Sequence, residues 1–307
     1  MRVLVTGGAG FIGSHIVDAL VEQGHAVSVV DDLSEGNRAN INPNARLFDV
    51  NINEPNDLEK AFEEAKPDVV SHHAAQISVR NSMYDPTHDA QVNIIGSLNV
   101  LQAAVKHGTE RIIFPSTSAV YAKPNHLPMD ETHPLSPESV YGVSKLSVEN
   151  FIRLYTDTYG IRHKIFRYGN VFGPRQNPHG EAGVVAIFTG QFMRGEQPTI
   201  FGDGGKTRDY IFVKDIVAAN TAALDATGDN ETYNIAWGIG VSDFEIFDAV
   251  RAASESHVQP NYAPVRPGEA EHVRLDSSKA QAALFWRPQV SLYDGILQVI
   301  KHYRETH

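Results

Sequence analysis

Short runs of β-branched and other apolar residues alternate with longer stretches of helical periodicity through the first half of the chain. The runs predict strands at Arg2–Val5, Ala26–Val30, Arg46–Val50, Asp68–Val70 and Arg111–Phe114. The stretches predict helices at Phe11–Gln23, Glu54–Ala65, His88–His107 and Ser139–Tyr159. Buried strands joined by helices are typical of a parallel sheet that is covered on both faces. We therefore predict an α/β fold with a doubly wound parallel sheet.

The pattern changes after Arg167, where a stretch rich in proline and glycine at 173–180 predicts a loop. The elements predicted beyond it are a helix at Ala182–Arg194, a strand at Thr199–Phe201, an apolar segment at Asp209–Val213 and helices at Ser242–Ser254, Ser277–Leu284 and Leu292–Arg304. We predict a first domain over residues 1–167, to which the chain returns near 211–237, and a smaller C-terminal α/β lobe over residues 168–307. A cleft is expected where the two parts meet.

A glycine motif separates the first predicted strand from the first predicted helix. Its spacing is G-x-x-G-x-x-G, with the glycines at Gly7, Gly10 and Gly13. Glycine allows a tight turn and lets a pyrophosphate approach the backbone that begins the helix, at Phe11 and Ile12. A strand before the motif and an amphipathic helix after it are the context that a dinucleotide-binding Rossmann domain requires.

Carboxylates stand at the ends of the second and third predicted strands. Asp31 and Asp32 follow the glycine motif by about 20 residues, the usual spacing in dinucleotide-binding domains. A carboxylate at this point accepts hydrogen bonds from the adenosine ribose hydroxyls and repels a 2′-phosphate. The predicted cofactor is therefore NAD rather than NADP, and Asp49 and Val50 are predicted to border its adenine.

Tyr141 and Lys145 are four positions apart on a predicted helix and therefore share one face. A tyrosine and a lysine with this spacing are common on protein surfaces. Here, however, the hydroxyl-bearing segment Ser116-Thr117-Ser118 also ends the preceding strand. Phenol, amine and hydroxyl together suit hydride transfer at a secondary alcohol, because a base must take the hydroxyl proton. An ammonium group about 5 Å away supplies roughly 3 kcal/mol at an effective dielectric constant of about 20. The positive nicotinamide ring of the cofactor adds to this effect, so we expect the two charges together to lower the pKa of Tyr141 toward working pH, where a general base is most effective. Lys145 can also bind the nicotinamide ribose.

Composition and charge exclude several kinds of site and several kinds of partner. The 307 residues include no cysteine, which excludes disulfides, cysteine nucleophiles and thiolate zinc sites. The net charge of −11 argues against nucleic acid or an anionic membrane as the partner. His72 and His73 lack the spacing of zinc ligands, so no metal is predicted. No apolar run approaches the ~18 residues of a membrane helix, and the N-terminal residues predict a strand rather than a signal peptide. We expect a soluble, cytoplasmic protein.

Several motifs in a fixed order resemble those of a known family. They are Thr6–His15, Asp31–Ser34, the Tyr141–Lys145 pair, Arg167–Arg175, Phe201–Gly204 with Thr207–Tyr210, and Arg266–Glu269. Nearly end to end, the chain resembles the extended short-chain dehydrogenases/reductases and, among them, the NAD-dependent nucleotide-sugar epimerases. The resemblance implies reversible 4-epimerisation of a UDP-sugar such as UDP-glucose or UDP-galactose, by transient oxidation to a 4-keto sugar with tightly held NAD.

The resemblance also implies roles for individual residues. Tyr141 is the catalytic base with Lys145 as its partner, Thr117 hydrogen-bonds the sugar 4-hydroxyl, and Asn93 lies beside the cofactor and the active site. The residues implied to bind the nucleotide diphosphate or the sugar are Asn170, Arg208, Tyr210, Arg266 and Glu269. Arginine suits a diphosphate because its planar fork binds phosphate oxygens in pairs and keeps its charge. The alternative for each arginine is an ordinary surface ion pair.

Other reactions on the same scaffold need further acid–base groups. Family dehydratases carry an Asp-Glu pair after the catalytic threonine, and decarboxylases usually carry a glutamate nearby. This chain has Ser118 and Ala119 there, which favours epimerisation. The alternatives are another NDP-sugar-modifying dehydrogenase (a dehydratase, decarboxylase or reductase) and a non-enzymatic NAD-binding regulator, although such regulators usually lose the tyrosine or the lysine.

Two further properties follow from the resemblance. Val273 stands where the family has a tyrosine that restricts the sugar pocket, which favours a pocket able to admit N-acetyl sugars. Relatives dimerise by packing helices into a four-helix bundle. The resemblance therefore implies a homodimer formed through the predicted helices at His88–His107 and Ser139–Tyr159.

Overall fold

Twelve strands lie within residues 1–178, 183–265 and 271–306, which are the residues that the computed structural model describes. They are β1 (Arg2–Thr6), β2 (Ala26–Asp31), β3 (Arg46–Asp49), β4 (Val69–His72), β5 (Arg111–Thr117), β6 (Arg162–Tyr168), β7 (Asn170–Phe172), β8 (Thr199–Phe201), β9 (Thr207–Phe212), β10 (Glu231–Ile235), β11 (Gly240–Ser242) and β12 (Asn261–Ala263). The helices of the same residues are α1 (Phe11–Glu22), α2 (Pro55–Ala65), α3 (Val79–Tyr84), α4 (Pro86–Ala90), α5 (Gly96–Lys106), α6 (Val140–Tyr159), α7 (Val184–Met193), α8 (Val213–Ala222), α9 (Asp243–Ala253), α10 (Ser278–Leu284) and α11 (Leu292–Thr306).

Seven parallel strands form the large sheet, in the order β10-β6-β5-β4-β1-β2-β3. From β1 the chain runs outward through β2 and β3, then crosses back to place β4 on the other side of β1. The loops after β1 and β4 therefore diverge, and open sheets bind their ligands at the carboxyl ends of the strands where this reversal occurs. The predicted doubly wound, Rossmann-type parallel sheet is confirmed.

Helices cover both faces of this sheet with separate apolar cores. On one face, α1 and α8 contribute Ile16 and Ile216 to a core that also includes side chains of β1 and β2. On the other face, α2, α5 and α6 contribute Phe62, Leu101 and Ile152. Because both faces are covered, the strand residues between them are almost wholly buried, which explains the continuous apolar runs in the sequence.

The second half of the chain adds a smaller α/β region, as predicted. It contains a three-stranded sheet in the order β11-β9-β7 and a pair formed by β12 and β8. Helices α7, α9 and α11 pack there around a phenylalanine-rich core made by Phe172, Phe188, Phe192, Phe212 and Phe247. Between β9 and β11 the chain re-enters the large sheet, since β10 pairs with β6. No helix within the described ranges combines the length and the apolar character needed to cross a bilayer.

Two predicted elements differ from the observed ones. The helix predicted at His88–His107 is present but not regular, because a π-helical turn at Gln91–Ile95 joins α4 to α5. Strand β5 continues past the predicted end at Phe114, because β6 pairs with it as far as Thr117. This extension carries the hydroxyl-bearing segment to the carboxyl edge of the sheet.

Candidate active site

The glycine motif forms a closed turn between β1 and α1. Gly7 has a φ of +68°, and its N–H donates to the carbonyl of Val30 at 2.8 Å. A Cβ atom at Gly13 would lie 2.2 Å from the carbonyl oxygen of Gly7, so the helix can approach the turn only without a side chain. Gly10 precedes α1, and no side chain caps that helix at Phe11. An uncapped helix start beside a glycine turn fits the pyrophosphate of NAD.

Asp31 ends β2 and connects the glycine turn to the sheet. Its side chain is 8% exposed and accepts hydrogen bonds from the N–H groups of Ala9 and Leu33, both at 2.9 Å. Burial raises the pKa of Asp31, and the two amide donors oppose that rise. Each carboxylate oxygen can accept a second hydrogen bond, so the group retains capacity for ribose hydroxyls.

The other predicted adenosine residues lie at the same edge of the sheet. Asp32 accepts a hydrogen bond of 2.8 Å from the side-chain amide of Asn51. Asp49 is the register partner of Asp31, and its exposed carboxylate pairs with Arg38 at 2.8 Å. The N–H of Val50 lies 3.3 Å from the carbonyl of Asp31. The four residues predicted to contact the adenosine therefore surround the ends of β2 and β3.

Tyr141 and Lys145 lie in the first two turns of α6, which packs beside the end of β5. Ser139 caps this helix by accepting from the N–H of Gly142 at 3.1 Å, and Ser82 accepts from the N–H of Tyr141 at 3.0 Å. A Cβ atom at Gly142 would lie 2.5 Å from the carbonyl oxygen of Ala119, so the backbone after β5 touches the start of α6. Tyrosine, lysine and the end of β5 are thereby brought together.

The ammonium group of Lys145 is buried within this arrangement. Its Nζ donates to the carbonyl of Pro115 at 3.1 Å and lies 4.8 Å from the ring centre of Phe114 and 5.8 Å from that of Tyr141. Burial lowers the pKa of Lys145 to about 8, and Asp89 acts in the opposite direction. The lysine is therefore close to losing its charge just above neutral pH.

The lysine alone does not lower the pKa of the tyrosine. Burial raises the pKa of Tyr141, and the negative charge of Asp89 raises it further. Desolvation of the phenolate is the largest effect, although the Lys145 Nζ lies 5.8 Å from the centre of the ring. A cation placed against the phenol is needed to bring it back toward working pH.

Thr117 is the last residue of β5 and is partly exposed. Successive strand residues point to opposite faces, and its neighbour Ser116 is turned into the interior, where its hydroxyl donates to Glu149 at 2.6 Å. The Thr117 hydroxyl accepts from the N–H of Ala119 at 3.1 Å, which leaves its own proton for another acceptor. Of the predicted hydroxyls, Thr117 is thus the one positioned for a ligand.

Asn93 lies in the π-helical turn and is 2% exposed. Its side-chain amide accepts from the N–H of Gln76 at 2.9 Å and donates to the carbonyl of Gln76 and to Asp89, each at 2.9 Å. These three bonds hold the loop after β4 against the helix. The side chain thus supports the wall of the site from within.

The predicted substrate residues lie on two neighbouring strands of the smaller region. Asn170 on β7 is the register partner of Tyr210 on β9, whose ring packs edge-on against Phe172 with centres 6.5 Å apart. Arg208 and Tyr210 are two positions apart on β9 and share one face of the strand. Arg266 and Glu269 lie outside the described residues.

Asp209 lies between Arg208 and Tyr210 and fixes strand β9 in place. It is fully buried, and its carboxylate accepts from the N–H groups of Trp237 at 2.9 Å, Gly238 at 3.0 Å and Leu275 at 3.1 Å. Burial raises the pKa of Asp209 to about 7 against the pull of these donors. The carboxylate ties β9, which carries Arg208, to two loops.

Comparison with known proteins identifies the family. The model of the NAD dependent epimerase/dehydratase family matches residues 3–236. The chain belongs to this family. The family assignment and the NAD cofactor predicted from the sequence are therefore confirmed.

Full-length relatives of this family member share its fold. The UDP-glucose 4-epimerase of Mycolicibacterium smegmatis is 39% identical over 99% of both chains. The structure of Thermotoga maritima UDP-glucose 4-epimerase with UDP-glucose is 43% identical, covers 100% of this chain and 99% of its own, and superposes with a TM-score of 0.97. The Thermus thermophilus UDP-glucose 4-epimerase in complex with NAD is 41% identical over 100% of both chains, with a TM-score of 0.95.

Several residues that shape the site of this epimerase/dehydratase family member are missed by sequence reasoning. Asp89, Glu149 and Asp209 are buried carboxylates, yet each resembles an ordinary polar residue of a helix or strand in the sequence. Their importance is shown by hydrogen-bonding partners, most of which are distant in the chain. Within the part of the chain that the structure describes, no group of three or more His, Cys, Asp or Glu could hold a metal ion.

Proposed function

We propose that this protein interconverts the 4-epimers of a UDP-sugar, UDP-glucose and UDP-galactose in the first place, with NAD as a retained cofactor. The observation that carries the proposal is the placement of Tyr141 and Lys145 beside Thr117 at the end of β5. The relatives named as UDP-glucose 4-epimerases, which match over nearly the whole chain, support the same reaction.

Each of the three residues has a defined task in this reaction. The Thr117 hydroxyl donates to O4 of the sugar, and the Tyr141 phenolate takes the proton from the 4-hydroxyl. NAD, when bound near the glycine turn, supplies a group that reversibly accepts the hydrogen of carbon 4 together with the electron pair of its bond. The positive ring of NAD favours the phenolate. The Lys145 ammonium supports the same ionisation and can hold the nicotinamide ribose. When the 4-keto sugar turns its other face, the steps run backward and Tyr141 returns the proton.

Ser118 and Ala119 separate this reaction from the alternatives. A dehydratase must remove a proton from carbon 5 and protonate a leaving hydroxyl, which requires an acid and a base beyond the tyrosine. The short 3₁₀ turn after Thr117 presents a serine and an alanine instead. These side chains support a reaction confined to carbon 4.

Binding of the nucleotide sugar is assigned to the smaller region. We propose that residues 1–167 together with 211–237 hold NAD, and that 168–307 mainly hold the substrate. Arg208, with Arg266, supplies positive charge for the diphosphate in a protein of net charge −11. The N–H of Val273 bonds the carbonyl of Thr207 at 3.0 Å, which places this small residue next to Arg208. A pocket bordered by valine supports acceptance of N-acetyl sugars as well.

We also propose that the protein forms a homodimer in the cytoplasm. Large apolar side chains are exposed on the π-helical turn and on α6, at Ile95, Val143, Leu154 and Tyr159. Two copies that pack these helices together would bury them, as stable interfaces do. Light scattering after size exclusion tests the dimer, with Leu154→Asp expected to give a monomer. Cell fractionation tests the location.

The reaction is tested with purified protein, UDP-galactose and no added NAD, followed by proton NMR of the anomeric signals. We expect UDP-glucose to appear until a stable mixture is reached, and Tyr141→Phe to be inactive. Products with altered composition would instead identify a dehydratase or decarboxylase. If UDP-galactose is unchanged even with added NAD, the proposed substrate is wrong, and UDP-N-acetylglucosamine is the next to be tried.

A further inference from the structure

Asp89, at the end of α4, is a fully buried carboxylate that the proposed reaction does not use. Three side chains from different parts of the chain donate to it. Gln76 Nε2 and Asn93 Nδ2 reach its Oδ1 at 2.8 and 2.9 Å, and the Ser144 hydroxyl reaches its Oδ2 at 2.6 Å. Asp89 therefore joins the loop after β4, the π-helical turn and α6.

The direction of these hydrogen bonds is fixed by the surrounding backbone. The side-chain oxygen of Asn93 accepts from the N–H of Gln76, and that of Gln76 accepts from the N–H of Ser78. Both amide groups must therefore turn their NH₂ toward Asp89. A carboxylate that receives three donors is matched to its ionised form, which accepts hydrogen bonds and donates none.

Ser144 connects this carboxylate to the catalytic pair. It is 1% exposed and immediately precedes Lys145 on α6, one turn after Tyr141. A hydrogen bond of 2.6 Å to an ionised group fixes the rotation of this part of the helix about its axis. Without that bond, the phenol and the ammonium lose a constraint on their position relative to Thr117.

We propose that Asp89 is a positioning residue for Tyr141 and Lys145. It anchors these two residues through Ser144, and its fixed negative charge sets the pH range of the reaction. This inference rests on the proposed function for its kinetic part only. Asp89 touches neither substrate nor cofactor in this role, and it acts through α6.

The charge of Asp89 acts on both members of the pair in the same direction. It raises the pKa of Tyr141 and that of Lys145, because it disfavours a phenolate and favours an ammonium group. Among the described residues, the other titratable groups facing the pair are His72 and His73 of β4, which burial keeps neutral with a pKa of about 3.

The remaining neighbours of Asp89 carry no opposing charge into the site. Arg80 on α3 and Asp85 and His88 at α4 are exposed to solvent, where water and salt screen them. Glu149 on α6 is held in its own ion pair with Arg167 on β6. The donors Gln76, Asn93 and Ser144 are uncharged.

The variant Asp89→Asn tests the negative charge of Asp89 separately from its hydrogen bonds. The Asn oxygen can take the place of Oδ1, while its NH₂ faces the Ser144 hydroxyl, which can accept instead of donate. The variant thus keeps its contacts but loses the charge. We expect both limbs of the kcat–pH profile to move to lower pH by about one unit, since the charge of Asp89 acts on both groups. Ser144→Ala removes the contact but keeps the charge of Asp89. We expect it to lower kcat about tenfold or more without moving the pH profile.

A measurement without substrate tests the same inference directly. The ¹³Cε signal of Lys145 in the purified protein, identified by its loss in Lys145→Arg, is followed by NMR against pH. We expect a midpoint about one pH unit lower in Asp89→Asn than in wild type, and no change in the control Asp85→Asn, whose carboxylate is exposed.

The outcomes separate the two proposals. A wild-type protein that does not epimerise UDP-sugars refutes the proposed function, whereas the lysine titration still tests Asp89. Unchanged pH profile and unchanged lysine midpoint in Asp89→Asn overturn the role of the charge. If Asp89→Asn does not fold, Ser144→Ala decides: full kcat in that variant overturns the anchoring.

Discussion

The carboxylate of Glu149 holds the guanidinium of Arg167 through two hydrogen bonds, 3.0 Å to Nε and 2.7 Å to Nη2, behind the strand that ends at Thr117. Both side chains are buried, and the Ser116 hydroxyl donates to the same carboxylate at 2.6 Å. Burial alone would raise the pKa of Glu149, but the hydrogen bonds from Arg167 and Ser116 hold it below its usual range. This ion pair fixes the end of β5 from the inside of the protein.

Replacement of Glu149 by Gln should be strongly destabilising. The change leaves the Arg167 charge buried without a counter-charge, which costs about 3 kcal/mol or more. Urea unfolding measures the loss. Arg153→Ala is the matched control, because Arg153 bonds the same carboxylate at 2.8 Å from a position 36% exposed and should cost about 1 kcal/mol or less. Equal losses in the two variants would contradict the role of the buried pair.

Tyr141→Phe removes the proton acceptor and leaves the ring. We expect kcat for the UDP-sugar to fall at least about 100-fold, within the range that general base catalysis contributes. Stability should not fall, since the phenol is buried and Phe avoids its desolvation. Tyr159→Phe, on the exposed end of the same helix, should keep full activity. A Tyr141→Phe protein with most of its turnover would refute the mechanism.

The glycine motif allows two substitutions with different outcomes. A methyl group at Gly10 has only the Gly7 carbonyl within 4 Å, at 3.2 Å, so Gly10→Ala should fold with a Tm close to wild type. The added group stands at the helix start to which we assign the pyrophosphate, so retained NAD should be lost. Gly13→Ala, with its 2.2 Å approach, should instead lower Tm. Absorbance of released nucleotide and thermal unfolding distinguish the two.

Because His72 is buried in its neutral form, we expect the protein to lose stability in mild acid. Burial keeps its pKa at about 3, while an unfolded chain binds a proton near pH 6.5. Between pH 7 and pH 5 the unfolded state therefore gains a proton that the folded state refuses, which costs about 2 kcal/mol. Urea unfolding at both pH values should show at least this cost in wild type, since burial keeps the pKa of His73 at about 3 as well. The pH-dependent loss should be smaller by about that amount in His72→Gln, whatever its stability at pH 7.

Arg208→Lys tests the assignment of the diphosphate. Lysine keeps the charge but loses the paired donors of the guanidinium, so we expect KM for the UDP-sugar to rise about tenfold with a smaller change in kcat. Arg251→Ala removes a partly exposed arginine that pairs with Asp248 on α9 and serves as the control. A KM unchanged in Arg208→Lys would show that the diphosphate binds elsewhere.

Apolar periodicity predicts the elements whose chemistry is ordinary and fails where charges are buried. Strands β1, β2 and β4 are rich in valine and other apolar residues, and the glycine motif follows directly from its spacing. Strand β6 was not among the predicted strands, because Lys164 and Arg167 make it look like a surface segment. In the fold these charges meet Asp229 and Glu149, which are far away in sequence. Pairing of this kind cannot be derived from a local pattern.

Helix α8 shows a second reason for failure. It begins after Phe212 with no side chain capping its start, so the usual signal for a helix N-terminus is absent. The candidate site was predictable where a motif has fixed spacing, as for Tyr141 and Lys145. Asp89 was not, because a carboxylate on a helix is most often solvated, and only its three buried donors reveal otherwise.

The π-helical turn at Gln91–Ile95 sets the phase of the helix that carries Asp89. Such a turn holds one residue more than a regular helix of the same span, and each residue of an α-helix advances by about 100°. Deletion of one residue from this turn would therefore leave a smoother helix whose first part is rotated by more than a quarter of a revolution. Asp89 would leave Ser144 although no residue of the active site had been replaced. The chemistry of the site thus depends on the number of residues in this segment as well as on their identity.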